Sequence, residues 1–107
     1  MEVFNSKDEL EKYVRESRRA LILFCASWCP FCREFFPTFD KLVAKDDFDM
    51  VVRVYIDDYD NPLWEDYRIE AVPMVMLLEK GKVKGRIDSM LGSGLGEKTF
   101  GEWLNRM

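Results

Sequence analysis

The chain has 107 residues, 48% of them apolar and 14% aromatic, which is enough for one hydrophobic core and too short for two. A core of this size covers roughly two-thirds of the surface exposed by the unfolded chain, so folding requires neither metal ions nor disulfide staples, and a disordered chain is excluded. Sixteen (16) basic against 20 acidic residues leave a net charge of −4, which argues against nucleic acid and anionic membranes as partners.

Residues 1–107 are accordingly expected to form a single domain. The N-terminus, Met1 to Asp8, lacks the basic start and apolar stretch of a secretory leader. The longest apolar run, Ala20 to Ala26, is much too short to span a bilayer, and a soluble cytoplasmic protein is expected. Ser6-Lys7-Asp8-Glu9 has the form of a capping box, with Ser6 as N-cap and Glu9 reaching back to it. Leu10, Tyr13, Val14 and Ser17 then keep one helical face. The densest basic run, Arg15 to Arg19, is interrupted by Glu16 and Ser17 and reads as a solvated helix end.

Ala20 to Cys25 is continuously apolar, the pattern of a strand buried on both faces. From Phe31 the period changes: Phe35, Phe36, Phe39, Leu42 and Val43 recur at helical spacing, so a helix follows directly after the cysteines. Pro37 lies inside it and is expected to kink it. Met50 to Ile56 reads as a second buried strand. Asn61-Pro62 is a helix start, with Asn61 as N-cap and Leu63, Trp64 and Tyr67 facing inward. Met74 to Glu79 and Val83 to Asp88 are strands joined by Lys80-Gly81-Lys82. Gly92, Gly94 and Gly96 suggest a flexible loop, and Phe100, Trp103, Leu104 and Met107 mark a closing helix. The expected class is α/β, a central mixed sheet with helices on both faces.

The chain contains no histidine, which removes Ser-His, Cys-His and histidine–metal chemistry together. Its three cysteines all fall within eight residues, a poor arrangement for staples and a good one for a site. Trp28-Cys29-Pro30-Phe31-Cys32 lies where a buried strand passes into a helix. At that helix N-terminus, unpaired amides and the helix dipole favour a thiolate at Cys29. Such a thiolate attacks a substrate disulfide, and Cys32, one turn further in, can then displace the substrate. Pro30 limits the flexibility of the small ring the pair would close. A Cys-x-x-Cys pair also occurs in zinc sites, but four ligands are normally needed, and there is neither a second such pair nor a histidine. No metal or cofactor is expected.

Phe24-Cys25-Ala26-Ser27-Trp28-Cys29 resembles the aromatic-x-Ala-x-Trp-Cys strand end of the thioredoxin family. Pro37 falls where that family's second helix carries a proline, Val72-Pro73 resembles its cis-proline, and Gly81 matches the glycine between its last two strands. The resemblance covers nearly the whole chain. It implies the thioredoxin fold, with Cys29 attacking and Cys32 resolving. It also implies a cis Pro73 packed against the disulfide, leaving the Val72 backbone to pair with an extended substrate segment. Trp28 would shield the site and help dock substrate, with Pro30 and Phe31 in support. Simpler readings are plain packing for Trp28 and a trans edge-strand proline at Pro73. The implied activity is reduction or exchange of protein disulfides, with an upstream disulfide reductase as partner and a monomeric protein.

Several positions depart from the family pattern. The dipeptide between the cysteines is Pro30-Phe31, where thioredoxins have Gly-Pro and glutaredoxins the similar Pro-Tyr. This difference is expected to move the couple toward a more oxidising potential, about 30 mV for each tenfold change in equilibrium. Leu23 replaces a buried aspartate thought to help deprotonate the resolving thiol, so resolution by Cys32 is expected to be slower or assisted by water. Arg53 stands near the place of a family lysine and reads as a solvated strand residue, with a charge near the site as the other reading. Met74 replaces the threonine usual after the cis-proline, and the loop from Gly92 to Gly96 is a few residues longer.

Cys25 reads as a small buried hydrophobe. The spacing Cys25-x3-Cys29-x-Phe31-Cys32 also matches the cluster motif of radical enzymes, which need a far larger barrel and place their cysteines on a loop. Three further readings are a glutathione-linked, glutaredoxin-like enzyme, a bridging iron–sulfur cluster in a dimer, and a thioredoxin fold that holds a partner with its cysteines idle. Lys80, Lys82 and Lys84 read as a solvated hairpin and not as a glutathione pocket.

Overall fold

The computed structural model describes residues 2–4, 7–43, 48–90 and 93–107, with the backbone alone for 2–4. Five strands make one mixed sheet: β1 (Glu2–Phe4), β2 (Arg19–Cys25), β3 (Met50–Tyr55), β4 (Met74–Glu79) and β5 (Lys82–Asp88), in the order β1-β3-β2-β4-β5. β1, β3 and β2 run parallel, while β4 and β5 are antiparallel to their neighbours. The helices are α1 (Lys7–Glu16), α2 (Pro30–Val43), α3 (Leu63–Asp66) and α4 (Glu97–Arg106). The mixed sheet flanked by helices is the expected architecture, and α2 continues through Pro37 as one helix.

β2 is buried on both faces because it lies in the middle of the sheet with helices on either side. Its Ala20, Ile22 and Phe24 pack with Leu10 and Val14 of α1 and Leu63 of α3. Its Leu21 and Leu23 pack with Phe35 and Phe39 of α2 and Phe100 and Trp103 of α4. Alternation along the strand therefore sends successive side chains into two separate cores. In the second core the Phe100 ring stands edge-on to Phe35 at 5.0 Å and stacks on Phe39 at 5.7 Å. Each fully buried Leu or Phe contributes roughly 1.5–3 kcal/mol, so β2 anchors the site that follows it.

Several local features differ from the sequence expectations. Strand β1 has no clear signal in its three residues and exists because it pairs with the free edge of β3. Tyr13 is exposed, whereas Leu10 and Val14 keep the inward face of α1 and Ser17, just past its end, is buried. The β4–β5 turn is the two residues Lys80 and Gly81, with φ of 52° and 81°, and Lys82 already pairs with Glu79. Positive φ at both central residues is the primed turn that matches strand twist. α3 begins at Leu63, one residue after Pro62, whose backbone is already helical, and the Asn61 side-chain oxygen accepts the Leu63 amide at 3.0 Å. Ser6 and Gly92 lie outside the described residues. Gly94 is buried at φ 74° and bridges to Met90, while the part of the expected glycine loop at 91–92 lies outside the described residues.

Arg53 is not a solvated strand residue. Its side chain is 18% exposed, lies 3.9 Å above the Phe36 ring centroid and pairs with Asp40 of α2 at 3.5 Å. The strand position faces a helix, and the long guanidinium reaches along that interface to water at its edge.

Candidate active site

Strand β2 ends at Cys25 and α2 starts at Pro30, so Ala26 to Cys29 form the turn that carries the first thiol of the pair to the helix start. The Cys29 amide donates to Ala26 O at 3.2 Å, and the Cys29 carbonyl accepts the Arg33 amide at 3.3 Å, joining the turn to the first helical turn. Cys29 is 5% exposed and Cys32 is 0% exposed. Both are free thiols, and the Cys29 Sγ–H donates to Val72 O at 3.6 Å. Cys32 hydrogen-bonds the Cys29 sulfur, and burial pushes its thiol up to about 12 against the opposing hydrogen bond from the Ala26 backbone.

The Val72–Pro73 peptide bond is cis, which excludes the trans edge-strand reading of Pro73. Pro73 is buried and its carbonyl accepts a hydrogen bond from Ser89 Oγ. Trp28, Cys29, Phe31 and Val72 line one groove of about 220 Å³, beneath which Cys32 is buried. Trp28 is 46% exposed, so it is a surface element of the groove and not a packing residue. Pro30 is exposed at the helix start. Phe31 is half-buried, its ring lying directly over Gly94, where an added Cβ would come within 2.9 Å of Phe31 Cδ1.

Asp57 is a residue that local patterning missed. Its carboxylate accepts the Ser27 amide at 2.8 Å and the Ser27 hydroxyl, while its carbonyl accepts Trp28 Nε1 at 2.8 Å. It therefore holds the turn before Cys29 from the end of the neighbouring strand. The only sequence sign is an Asp directly after Ile56, the buried residue that follows that strand. Ser89 and Gly94 were likewise visible as residue types but not as neighbours of Pro73 and Phe31.

Cys25 is fully buried in β2, its Sγ–H donating to Val54 O at 3.6 Å, and burial pushes its thiol up. The three cysteines sit on a strand, at a helix start and inside that helix, unlike the loop-borne cysteines of a cluster enzyme. Among the described residues no group of three or more His, Cys, Asp or Glu is placed to hold a metal ion, and no helix is long and apolar enough to cross a membrane.

Two thiols mounted at a strand-to-helix turn, one at a groove and one beneath it, beside a cis-proline, belong to the thiol–disulfide oxidoreductases. Comparison with known proteins agrees. The thioredoxin family model matches residues 2–100. Thioredoxin H5 of Arabidopsis thaliana is 31% identical over 100 residues, covering 92% of this chain and 80% of that protein. Protein disulfide-isomerase A5 of Bos taurus is 28% identical over 103 residues, covering 94% of this chain and 19% of that protein. Thioredoxin of Fasciola hepatica superposes with a TM-score of 0.78 at 27% identity, covering 99% of this chain and 98% of that one. Plasmodium falciparum thioredoxin superposes at 0.82 with 15% identity, covering 99% and 98%. The chain belongs to the thioredoxin family, and it is a protein-disulfide oxidoreductase.

Proposed function

We propose that Cys29 is the attacking thiol and Cys32 the resolving one in the reduction of protein disulfides. The difference in access supports this most directly: Cys29 lies at the groove, and Cys32 is buried beneath it. The Cys29 thiolate attacks one substrate sulfur, forming the Cys29–S bond while the substrate S–S bond breaks and the second substrate sulfur leaves as a thiolate. Cys32 then loses its proton and attacks Cys29 Sγ, closing the Cys29–Cys32 disulfide and releasing the first substrate sulfur. The protein gives up two electrons, the substrate gains them, and both substrate thiolates take up protons.

Trp28, Val72 and Pro73 bind the substrate segment, and Pro30 and Phe31 support the pair. An upstream disulfide reductase returns the protein to the dithiol form. The protein acts as one domain over residues 1–107, as a monomer in the cytoplasm, without cofactor or metal. A glutathione-linked reading is not favoured by relatives that are thioredoxins and protein disulfide isomerases.

The test is covalent trapping on a disulfide-bearing protein such as insulin. Cys32→Ser accumulates a stable mixed disulfide through Cys29, and Cys29→Ser accumulates none. The reverse pattern, or no adduct with either variant while both thiols titrate freely, overturns the assignment.

A further inference from the structure

Beyond Cys29 the groove continues onto a set of aromatic rings that thiol exchange itself does not use. The Tyr59 ring centroid lies 5.5 Å from Trp28 on one side and 5.0 Å from Trp64 on the other, and all three residues line the groove. Both indoles are held by the same short segment. Trp28 Nε1 donates to Asp57 O at 2.8 Å, and Trp64 Nε1 to the carbonyls of Ile56 and Asp58, each at 3.1 Å. Tyr59 between them is 71% exposed, and Met90, which also lines the groove, is exposed too. A rigid aromatic surface left open to water beside a reactive thiol is a binding surface awaiting an apolar partner group.

Charge narrows the choice of partner. Glu70 is the one charged side chain among the residues that line the groove, and the segment carrying Tyr59 also bears Asp57, Asp58 and Asp60. This is a poor setting for glutathione, which carries two carboxylates, and a good one for a basic side chain.

Building on the assignment of Cys29 as attacking thiol, we infer that Tyr59, Trp28 and Trp64 form a stacking subsite that, with Glu70, selects disulfides in extended polypeptide segments bearing an aromatic and a basic residue close to the cystine. An extended segment rises about 3.3 Å per residue and turns every second side chain to the same side. A sulfur at Cys29 therefore brings the side chain two residues away onto the aromatic surface. That ring stacks on Tyr59, and the basic residue approaches Glu70.

The test uses three disulfide-cyclised peptides that differ only beside the cystine: tryptophan two residues away on each side with flanking lysines, alanine in place of the tryptophans, and glutamate in place of the lysines. Each is mixed with the dithiol protein, quenched in acid at timed intervals, and its second-order reduction rate measured. The tryptophan–lysine peptide is expected to react about tenfold faster than the alanine peptide, the difference one buried, stacked ring supplies. It is also expected to react about threefold faster than the glutamate peptide, less so at high salt. Tyr59→Ser brings the tryptophan-to-alanine ratio to within about twofold, and Glu70→Lys reverses the lysine-to-glutamate preference. Equal rates on all three peptides, or a ratio that Tyr59→Ser leaves intact, overturns the subsite while leaving the role of Cys29 standing. If none of the peptides is reduced although the protein's thiols titrate, the assignment of Cys29 falls and the subsite with it.

Discussion

Leu23 and Arg53 are register partners across the β2–β3 pair, and Arg53 forms its ion pair with Asp40 on α2 while Leu23 is fully buried against Phe35 and Phe39. Position 23, where the family resemblance implies an aspartate, is thus hydrocarbon packed into the core between the sheet and α2. Asp57 is a carboxylate that acts on the buried Cys32 thiol, and its charge raises the thiol further. With Cys32 as the resolving thiol proposed above, removing its proton is the demanding step of the exchange.

Release of substrate from the Cys29 mixed disulfide should accordingly depend steeply on pH. With Cys32 pushed up to about 12, its thiolate fraction rises about tenfold per pH unit across the neutral range. Stopped-flow release of a trapped fluorescent peptide should accelerate about a hundredfold between pH 7 and 9, tenfold for each unit. A rate independent of pH over that interval would show that another group takes the proton.

Leu23→Asp supplies a carboxylate within the reach of Arg53. Release at pH 7 is expected to become faster and its pH dependence shallower. Stability is expected to fall by roughly 2–4 kcal/mol, because leucine packing is lost and a charge is buried. Urea unfolding and stopped-flow release read the two effects separately, and an unchanged release rate would remove position 23 from the mechanism.

Stability of the reduced protein should fall at alkaline pH. The unfolded chain releases the Cys32 proton near the ordinary value of 9.0, whereas the folded protein holds it up to about 12. Between those values the unfolded state binds fewer protons, so stability declines as pH rises and is fully present only below 9. Denaturant midpoints measured from pH 8 to 10.5 should drop less steeply for Cys32→Ala than for the reduced wild type. Parallel curves would mean that Cys32 titrates alike in both states.

Gly94 and Phe31 should be energetically coupled. Gly94 combines a φ of 74° with a backbone on which Phe31 rests, so Gly94→Ala meets both strain and a clash at 2.9 Å. The left-handed conformation alone costs roughly 1–2 kcal/mol in a residue with a Cβ. A double-mutant cycle with Phe31→Ala should recover about 1 kcal/mol or more of the total loss, as neighbours in contact do. Additive losses would show that the loop and Phe31 are independent.

Much of this molecule is decided within short windows of chain. The continuous apolar run from Ala20 to Cys25, the helical spacing of Phe35 and Phe39, and the strand-to-helix position of Cys29 and Cys32 are local patterns, and the structure has the expected central strand and helix there. They can be read locally because backbone hydrogen bonding and the alternation of apolar side chains act over a few residues. Strand β1 could not be read that way, since three residues become a strand only when the edge of β3 accepts them. Nor could the surroundings of the thiols. Asp57 reaches Ser27 and Trp28 across 30 and 29 positions of sequence, and Arg53 finds Phe36 and Asp40 on a helix that precedes it in the chain. Tyr59 and Trp64 read as separate aromatic residues until chain folding set them beside Trp28. The sequence by itself determined which chemistry the chain carries, because two thiols at a helix start are a local arrangement. Only the tertiary structure decided which thiol is reachable and what surface a substrate meets, because burial and neighbours depend on segments remote in sequence.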